Sequence, residues 1–312
     1  MTNQKLISVV IPAYNEADNI PVIAASIREV FAGLPNYTFE IIFVADGCTD
    51  STMAVLEMMA KHSDHIFHIE FSRNFGHQQA VKAGMDYARG AAVICMDGDM
   101  QHPPELIPEL IQRWEEGYEV VYTIRNEDKR LPFKKRITSK LFYHILNRMA
   151  SVELDQGASD FRLLDRKVVD VFKEFHENEP FLRGLVKWIG FKQYAVNYDP
   201  AERFSGSSKY TLKKMVGLAL QGVTSFSIKP LYNVVYLGFV FSGISVLYLP
   251  YVLYAFTFGH EVSGWASIIM TIAFFGGIQL IILGIIGIYL GKMFMQVKLR
   301  PNYIVRSTNI KS

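Results

Sequence analysis

Cysteine is nearly absent: Cys48 and Cys95 are the only two in 312 residues. That excludes a disulfide framework and any CxxC zinc or redox site. Two isolated thiols suit a reducing compartment. An excess of charge of one sign is also absent. A formal net charge of +2 leaves no basic footprint for nucleic acid, which is therefore not an expected partner. The 22 Gly and 12 Pro are scattered without period, which excludes collagen-like chains, and a half-hydrophobic composition excludes intrinsic disorder. No GxGxxG follows the first apolar run and no GxxxxGK[ST] occurs anywhere, which sets aside dinucleotide oxidoreductases and P-loop enzymes.

Two long stretches lack charge altogether. Pro230 to His260 contains no Asp, Glu, Lys or Arg, and neither does Val262 to Gly291. A bilayer core is crossed by roughly 20 helical residues, so residues 230–291 read as a two-helix transmembrane hairpin rather than as core helices. Lys209, Lys213, Lys214 and Lys229 precede it. Lys292, Lys298, Arg300, Arg306 and Lys311 follow it, and the loop at His260–Glu261 has no Lys or Arg. The bias is expected to put both termini and residues 1 to about 205 in the cytosol. The apolar Leu6 to Ile11 is broken by Pro12 and by Asn15–Glu16, which does not suit a signal peptide. Gly277, Gly284, Gly287 and Gly291 give the second span a small-residue face, which suits packing against the first span or against a second copy in a homo-oligomer.

Before the hairpin, short apolar runs alternate with helical patterns. Leu6–Ile11, Phe39–Ala45, Ile66–Phe71, Ala91–Met96 and Glu119–Thr123 suit buried strands. Ile20–Phe31, Ser51–Lys61, Gln78–Arg89 and Pro104–Glu115 suit helices. The alternation predicts an α/β domain with a mostly parallel sheet over residues 1–205. Amphipathic interface helices are expected at about 133–150 and at 206–229, with a basic tail at 292–312. Polar clusters follow four of the strands: Tyr14–Asn15–Glu16, Asp46–Gly47, Arg73–Asn74–Phe75–Gly76 and Asp97–Gly98–Asp99. The carboxyl ends of parallel strands are where open α/β sheets bind ligands.

Asp97-Gly98-Asp99-Met100-Gln101 is the metal candidate. In an extended segment, alternate residues point to one side, so Asp97, Asp99 and Gln101 are expected to present oxygens together. Such hard ligands suit Mg²⁺ or Mn²⁺ shared with substrate phosphates.

These residues resemble a family 2 glycosyltransferase with the GT-A fold. The resemblance rests on Val9-Val10-Ile11-Pro12-Ala13-Tyr14-Asn15-Glu16, Asp46-Gly47-Cys48-Thr49-Asp50, Arg73-Asn74-Phe75-Gly76 and the run from Asp97 to Pro104. More narrowly, the chain is similar to polyprenyl-phosphate glycosyltransferases: bactoprenol (undecaprenyl-phosphate) glucosyltransferases above all, and dolichyl-phosphate mannose synthases. Asp160-Phe161-Arg162-Leu163, Ala201-Glu202-Arg203, Ser208-Lys209-Tyr210, Gly222-Val223-Thr224-Ser225-Phe226, Gly276-Gly277-Ile278-Gln279 and Arg300-Pro301-Asn302-Tyr303 carry that closer likeness, which extends into the hairpin.

The resemblance implies inverting, metal-dependent transfer of a hexose from a nucleotide sugar, UDP-glucose first and UDP-N-acetylglucosamine or GDP-mannose as alternatives. The acceptor would be polyprenyl phosphate at the cytosolic face of a bacterial cytoplasmic membrane, with a processive polysaccharide synthase as the other enzyme reading. It implies donor contacts from Pro12, Tyr14, Glu16, Asp46 and Asp97. Asp99 and Gln101 would hold the metal, and Asp97, Asp99 and Asp160 would be catalytic. Arg125, Arg136, Ser139, Arg203 and Lys209 would bind the acceptor phosphate. The pattern departs at Ala45, where relatives carry a second acid, and at His77, where they often carry Lys. It departs again at Gly157-Ala158-Ser159 before Asp160.

Lys129 to Lys140 contains six Lys/Arg and no acid, ahead of a stripe of Ile137, Leu141, Ile145 and Met149. This reads as a segment lying on anionic membrane lipid. His77 is expected at the surface, and Trp188 either in the core or shaping the acceptor entrance. Arg162 is expected either as a pocket cation or as the partner of Asp160.

Overall fold

The computed structural model describes residues 4–126, 155–178, 180–199, 222–258 and 264–311. The first strand, β1 (Lys5–Ala13), has apolar side chains on both faces because both faces of the sheet are covered. Ile7, Val9, Ile11 and Ala13 join one core with Ile41, Phe43 and Ala45 of β2 (Tyr37–Ala45). Helix α1 (Asn19–Ala32) lies over this face through Ile20, Ile23 and Ile27. Val10, Ile42 and Val44 point the other way, into a second core with α3 (His77–Tyr87), where Ala80 and Ala83 are buried. The one polar inward position on β1 is Ser8, whose hydroxyl donates to buried Glu40 at 2.6 Å. Glu40 is in turn held by Arg89.

The remaining elements follow in order: α2 (Thr52–Lys61), β3 (Ile66–Phe71), β4 (Ala92–Cys95), a 3-10 turn at Pro104–Leu106, α4 (Ile107–Glu115), β5 (Val120–Arg125), β6 (Ala158–Asp165), α5 (Arg166–Lys173), α6 (Leu182–Trp188) and β7 (Gln193–Tyr198). With an edge strand β8 (Val305–Thr308), the eight-stranded sheet has the order β7-β5-β6-β4-β1-β2-β3-β8. The expected parallel strands are there, with β1, β2, β3 and β4 parallel to their neighbours within that group. Two antiparallel strands were not legible in the sequence: β6, inserted between β4 and β5, and β8 (Val305–Thr308) at the edge beside β3.

After the α/β domain come two long helices, α7 (Lys229–Thr257) and α8 (Trp265–Val297). Phe241 of α7 meets Phe274 and Phe275 of α8 edge to face. Among the described residues, one stretch, Ser267–Val297, has the length and apolarity to cross a membrane, with a mean hydropathy of 2.4 and none of it buried. A Cβ placed on Gly277, Gly284, Gly287 or Gly291 meets no atom within 4 Å, so among the described residues the glycine face of α8 is open.

The chain then returns. β8 pairs with β3, Tyr303 stacks on Phe71 at 5.2 Å, and the Tyr303 hydroxyl donates to Asp86, which also holds buried Lys82. The segment expected as a basic tail thus completes the sheet. The end of α8 is tied to the same domain. Asn178 donates its backbone N–H to Gln296 Oε1 at 3.1 Å and its amide nitrogen to the Met295 carbonyl. Gln296 donates to the His176 carbonyl at 2.8 Å.

Candidate active site

Four strand ends open into one cleft of about 410 Å³, lined by Pro12, Ala13, Tyr14, Glu16, Asp46, Asn74, Gly76, His77, Asp97, Gly98 and Asp99. That volume lies within the ~300–1,000 Å³ of small-molecule sites. Pro12, Tyr14, Glu16, Asp46 and Asp97, the expected donor contacts, line it, and so does Asp99, expected at the metal.

Backbone geometry sets the walls. Asn15 sits at φ 59°, a left-handed conformation that Asn tolerates better than most residues. Its Oδ1 accepts the Thr49 N–H at 2.8 Å and its Nδ2 donates to Thr49 Oγ1, tying the turn after β1 to the turn after β2. Tyr14, 49% exposed, lines the cleft beside this turn. Gly47, at φ 65°, lies against the turn after β3, and a Cβ there would stand 2.3 Å from the Asn74 nitrogen. Asp46 fixes that turn: Oδ1 accepts the Phe75 N–H at 2.6 Å and Oδ2 the Gly76 N–H at 2.9 Å. Its carboxylate is spent on the shape of the wall.

The acidic segment after β4 is a turn and not an extended run. Met100 has φ 62°, and Asp99 Oδ1 accepts the Gln101 N–H at 3.1 Å. The expected alternation therefore does not hold, and Gln101 is not among the residues lining the cleft. The turn is held from behind by His102, which is 5% exposed. Its Nδ1 accepts the Asp97 N–H at 2.9 Å, so the ring proton is on Nε2, which lies 2.7 Å from Ser159 Oγ. Ser159 also accepts the Phe161 N–H, and Tyr198 reaches the same hydroxyl at 3.3 Å. Burial pushes the imidazole below its ordinary pKa against the opposing pull of Asp97, Asp99 and Asp160, which keeps the ring neutral.

Asp160, on β6, is 13% exposed at its side chain and ion-paired twice. Arg183 of α6 grips it through Nε at 3.0 Å and Nη2 at 2.8 Å, and Arg162 Nη2 adds a third bond at 2.8 Å. Burial raises its pKa, but the two guanidinium groups lower it more, and the carboxyl is held well below the usual range. Arg162 is thus the partner of Asp160. A carboxylate so held is a poor proton acceptor. His77, expected at the surface, stands in the cleft wall between two acids: its Nε2 is 3.4 Å from Asp97 Oδ1 and 3.8 Å from Asp160 Oδ2.

Arg125 ends β5, exposed, its backbone N–H on the Gly157 carbonyl. Arg136, Ser139, Arg203 and Lys209, with the interface helices expected at 133–150 and over most of 206–229, lie outside the described residues. Sequence reading missed Arg183, His102, Ser159 and Tyr198. His102 was visible in the acidic run; nothing local marks Arg183, 23 residues from its partner.

Does this cleft fit a divalent cation? Among the described residues, no group of three or more His, Cys, Asp or Glu forms a complete cage. Asp97 Oδ1, however, is a buried carboxylate oxygen that accepts no hydrogen bond from the described residues, and the His77 ring nitrogen stands 3.4 Å from it. With Asp99 beside it, the donor set is hard oxygen. That fits an ion that takes the rest of its shell from water and substrate phosphate.

A parallel sheet with a carboxylate-lined cleft at its strand ends and an antiparallel strand beside β4 is the arrangement of a GT-A nucleotide-sugar transferase. The glycosyl transferase family 2 profile matches residues 8–172. An uncharacterized glycosyltransferase, YkcC, of Bacillus subtilis is 44% identical over 96% of this chain and 93% of its own length. The SfII prophage-derived bactoprenol glucosyl transferase of Shigella flexneri is 38% identical over 97% of this chain and 98% of its own. Among solved structures, the mannosyltransferase PcManGT from Pyrobaculum calidifontis, in complex with GDP-Man and Mn²⁺, shares the fold. Its TM-score is 0.50 at 15% identity, over 72% of this chain and 64% of that one. The chain belongs to glycosyltransferase family 2.

Proposed function

We propose that the protein transfers a hexose from a nucleotide sugar, UDP-glucose first among donors, to a polyprenyl phosphate at the cytosolic face of a bacterial cytoplasmic membrane. One observation carries this reading. The cleft and the long apolar helix α8 belong to one folded unit, since the end of α8 is hydrogen-bonded to residues 176–178 and β8 completes the sheet. The near full-length likeness to proteins named bactoprenol glucosyl transferases supports the acceptor.

The donor base would lie against Tyr14, with Glu16 and Pro12 at the ribose end of the cleft. Asp97 and Asp99, which line the cleft, would hold Mg²⁺ or Mn²⁺, and the turn at Met100 leaves Gln101 out of that set. Such an ion supplies charge stabilisation for the departing diphosphate. His77 faces the same space from the start of α3, where a ring N–H and the helix dipole both favour an anion. The acceptor oxygen belongs to a phosphate monoester with a second pKa near ~6, so it arrives ionised and needs no strong base. A salt-bridged Asp160 agrees with that: it orients Arg162 and Arg183 as fixed positive charge beside the cleft. Arg125, Arg136, Ser139, Arg203 and Lys209 are proposed to hold the acceptor phosphate. Direct attack at the anomeric carbon inverts it, giving a β-linked product from an α-linked donor.

α7 and α8 are proposed to form the membrane hairpin, with both termini cytosolic. The open glycine face of α8 then meets lipid or the same helix of a second copy. The experiment is an assay of the purified protein with undecaprenyl phosphate, Mg²⁺ and a panel of UDP- and GDP-sugars. Nucleoside diphosphate is released only when lipid phosphate is present, and product NMR shows a β-linkage. Equal release without lipid phosphate overturns the acceptor assignment.

A further inference from the structure

Trp188 has the wrong burial for its place. A tryptophan ending a helix with three buried apolar residues (Leu182, Leu185 and Val186) is expected in the core, yet it is 61% exposed. Its surroundings explain what that exposure faces. Gly184, one turn earlier on the same helical face, is in contact with Phe226: a Cβ there would stand 2.4 Å from the Phe226 ring. Phe181 meets the same ring at 6.1 Å. Phe226 lies three residues before α7 begins. On the other side, the Trp188 indole meets Phe175 edge to face at 6.0 Å. Phe175 leads directly into residues 176–178, which hold the end of α8 through Met295 and Gln296. The tryptophan is therefore bracketed by the points at which both long helices join the catalytic domain.

From this bracketing we infer that α6 docks on the lipid headgroup layer through Trp188. The inference rests on the membrane reading of α7 and α8 above. An indole has an apolar body and one N–H donor, which suits the boundary between acyl chains and headgroups better than either water or the bilayer centre. Ile228 and Tyr232, at the start of α7 and just after Phe226, are exposed as well. The contact has a consequence for the site, because α6 also carries Arg183, whose guanidinium holds Asp160 beside His77 and the cleft. The helix that rests on the membrane is thus the one that sets the charge at the inner end of the active site.

The chain has three tryptophans, Trp114, Trp188 and Trp265. The test uses the full-length protein in lipid nanodiscs carrying a nitroxide quencher either on the headgroup or deep in the acyl chain. In the Trp114→Phe/Trp265→Phe variant, Trp188 emission is expected to be blue-shifted and to lose more intensity to the headgroup quencher than to the deep one. The Trp114→Phe/Trp188→Phe variant reports Trp265, the first residue of α8. Quenching of Trp265 but not of Trp188 overturns the inference and leaves the membrane reading standing. Quenching of neither overturns both. Should removal of the Trp114–Asp165 hydrogen bond prevent folding, the difference between the wild type and Trp188→Phe alone gives the same readout.

Discussion

His102 Nδ1 accepts the backbone N–H of Asp97 at 2.9 Å, so the acidic turn that lines the cleft is fixed through its main chain by a buried neutral imidazole. Two side chains mimic parts of that ring. Asn places an acceptor near the Nδ1 position, and Gln reaches toward Nε2. His102→Ala is expected to lower kcat on the order of 100-fold, the scale of a misplaced catalytic group. His102→Asn should recover more activity than His102→Gln, because it keeps the bond to Asp97. Equal activity in the two would show that the Ser159 side of the ring matters as much.

Asp99→Asn keeps the size of the side chain and its bond to Gln101 but removes the charge. Turnover is expected to fall about 100-fold or more, the scale of losing one preorganised electrostatic contact at developing charge. The protein should still fold, with an unchanged melting curve. Near-normal turnover in a metal-titrated assay would remove Asp99 from the metal site.

Asp160 makes a prediction about acid. Its folded pKa is depressed by Arg183 and Arg162, so the stability from its charge is complete above the ordinary value of about 3.9 and drains away as pH falls below it. The melting temperature of the wild type should therefore drop more steeply between about pH 4 and pH 3 than that of Asp160→Asn. The variant starts lower at neutral pH, because breaking a buried pair costs about 3–5 kcal/mol. Parallel slopes would refute the linkage.

Tyr303 locks the returning chain. Tyr303→Ala removes the stack on Phe71 and the bond to Asp86, and is expected to cost about 3 kcal/mol, as for other large aromatic truncations. Tyr303→Phe keeps the stack and should cost about 1 kcal/mol. Thermal melts in detergent distinguish these values. A neutral Tyr303→Ala would mean that β8 is held by its strand pairing alone.

Legibility followed burial. β1 to β5 could be read because strands covered on both faces are runs of apolar residues, as in Val9–Ile11. β6 could not: its sequence, ASDFRLLD, spends two positions on Asp160 and Arg162, and the polarity hides the strand. β8 is four residues long with exposed alternate positions, and its partner is more than two hundred residues away. At the site, the strand-end clusters gave the location of the cleft. The sequence did not show that the acidic run folds back as a turn, or that Arg183 and His77 close on Asp160, because those facts depend on how distant loops meet. Trp188 defeated the rule that large aromatics are buried because the rule says nothing of which solvent they face.

The last strand has a bearing on how the molecule is made. Glu70 of β3 bonds Arg306, 236 residues later in the chain. Until the ribosome has finished both long helices and the segment beyond them, β3 is an open edge with unpaired backbone groups. The soluble-looking portion thus emerges unfinished. A product cut short before residue 305 would keep its cleft residues and present a sticky rim, prone to association with its neighbours.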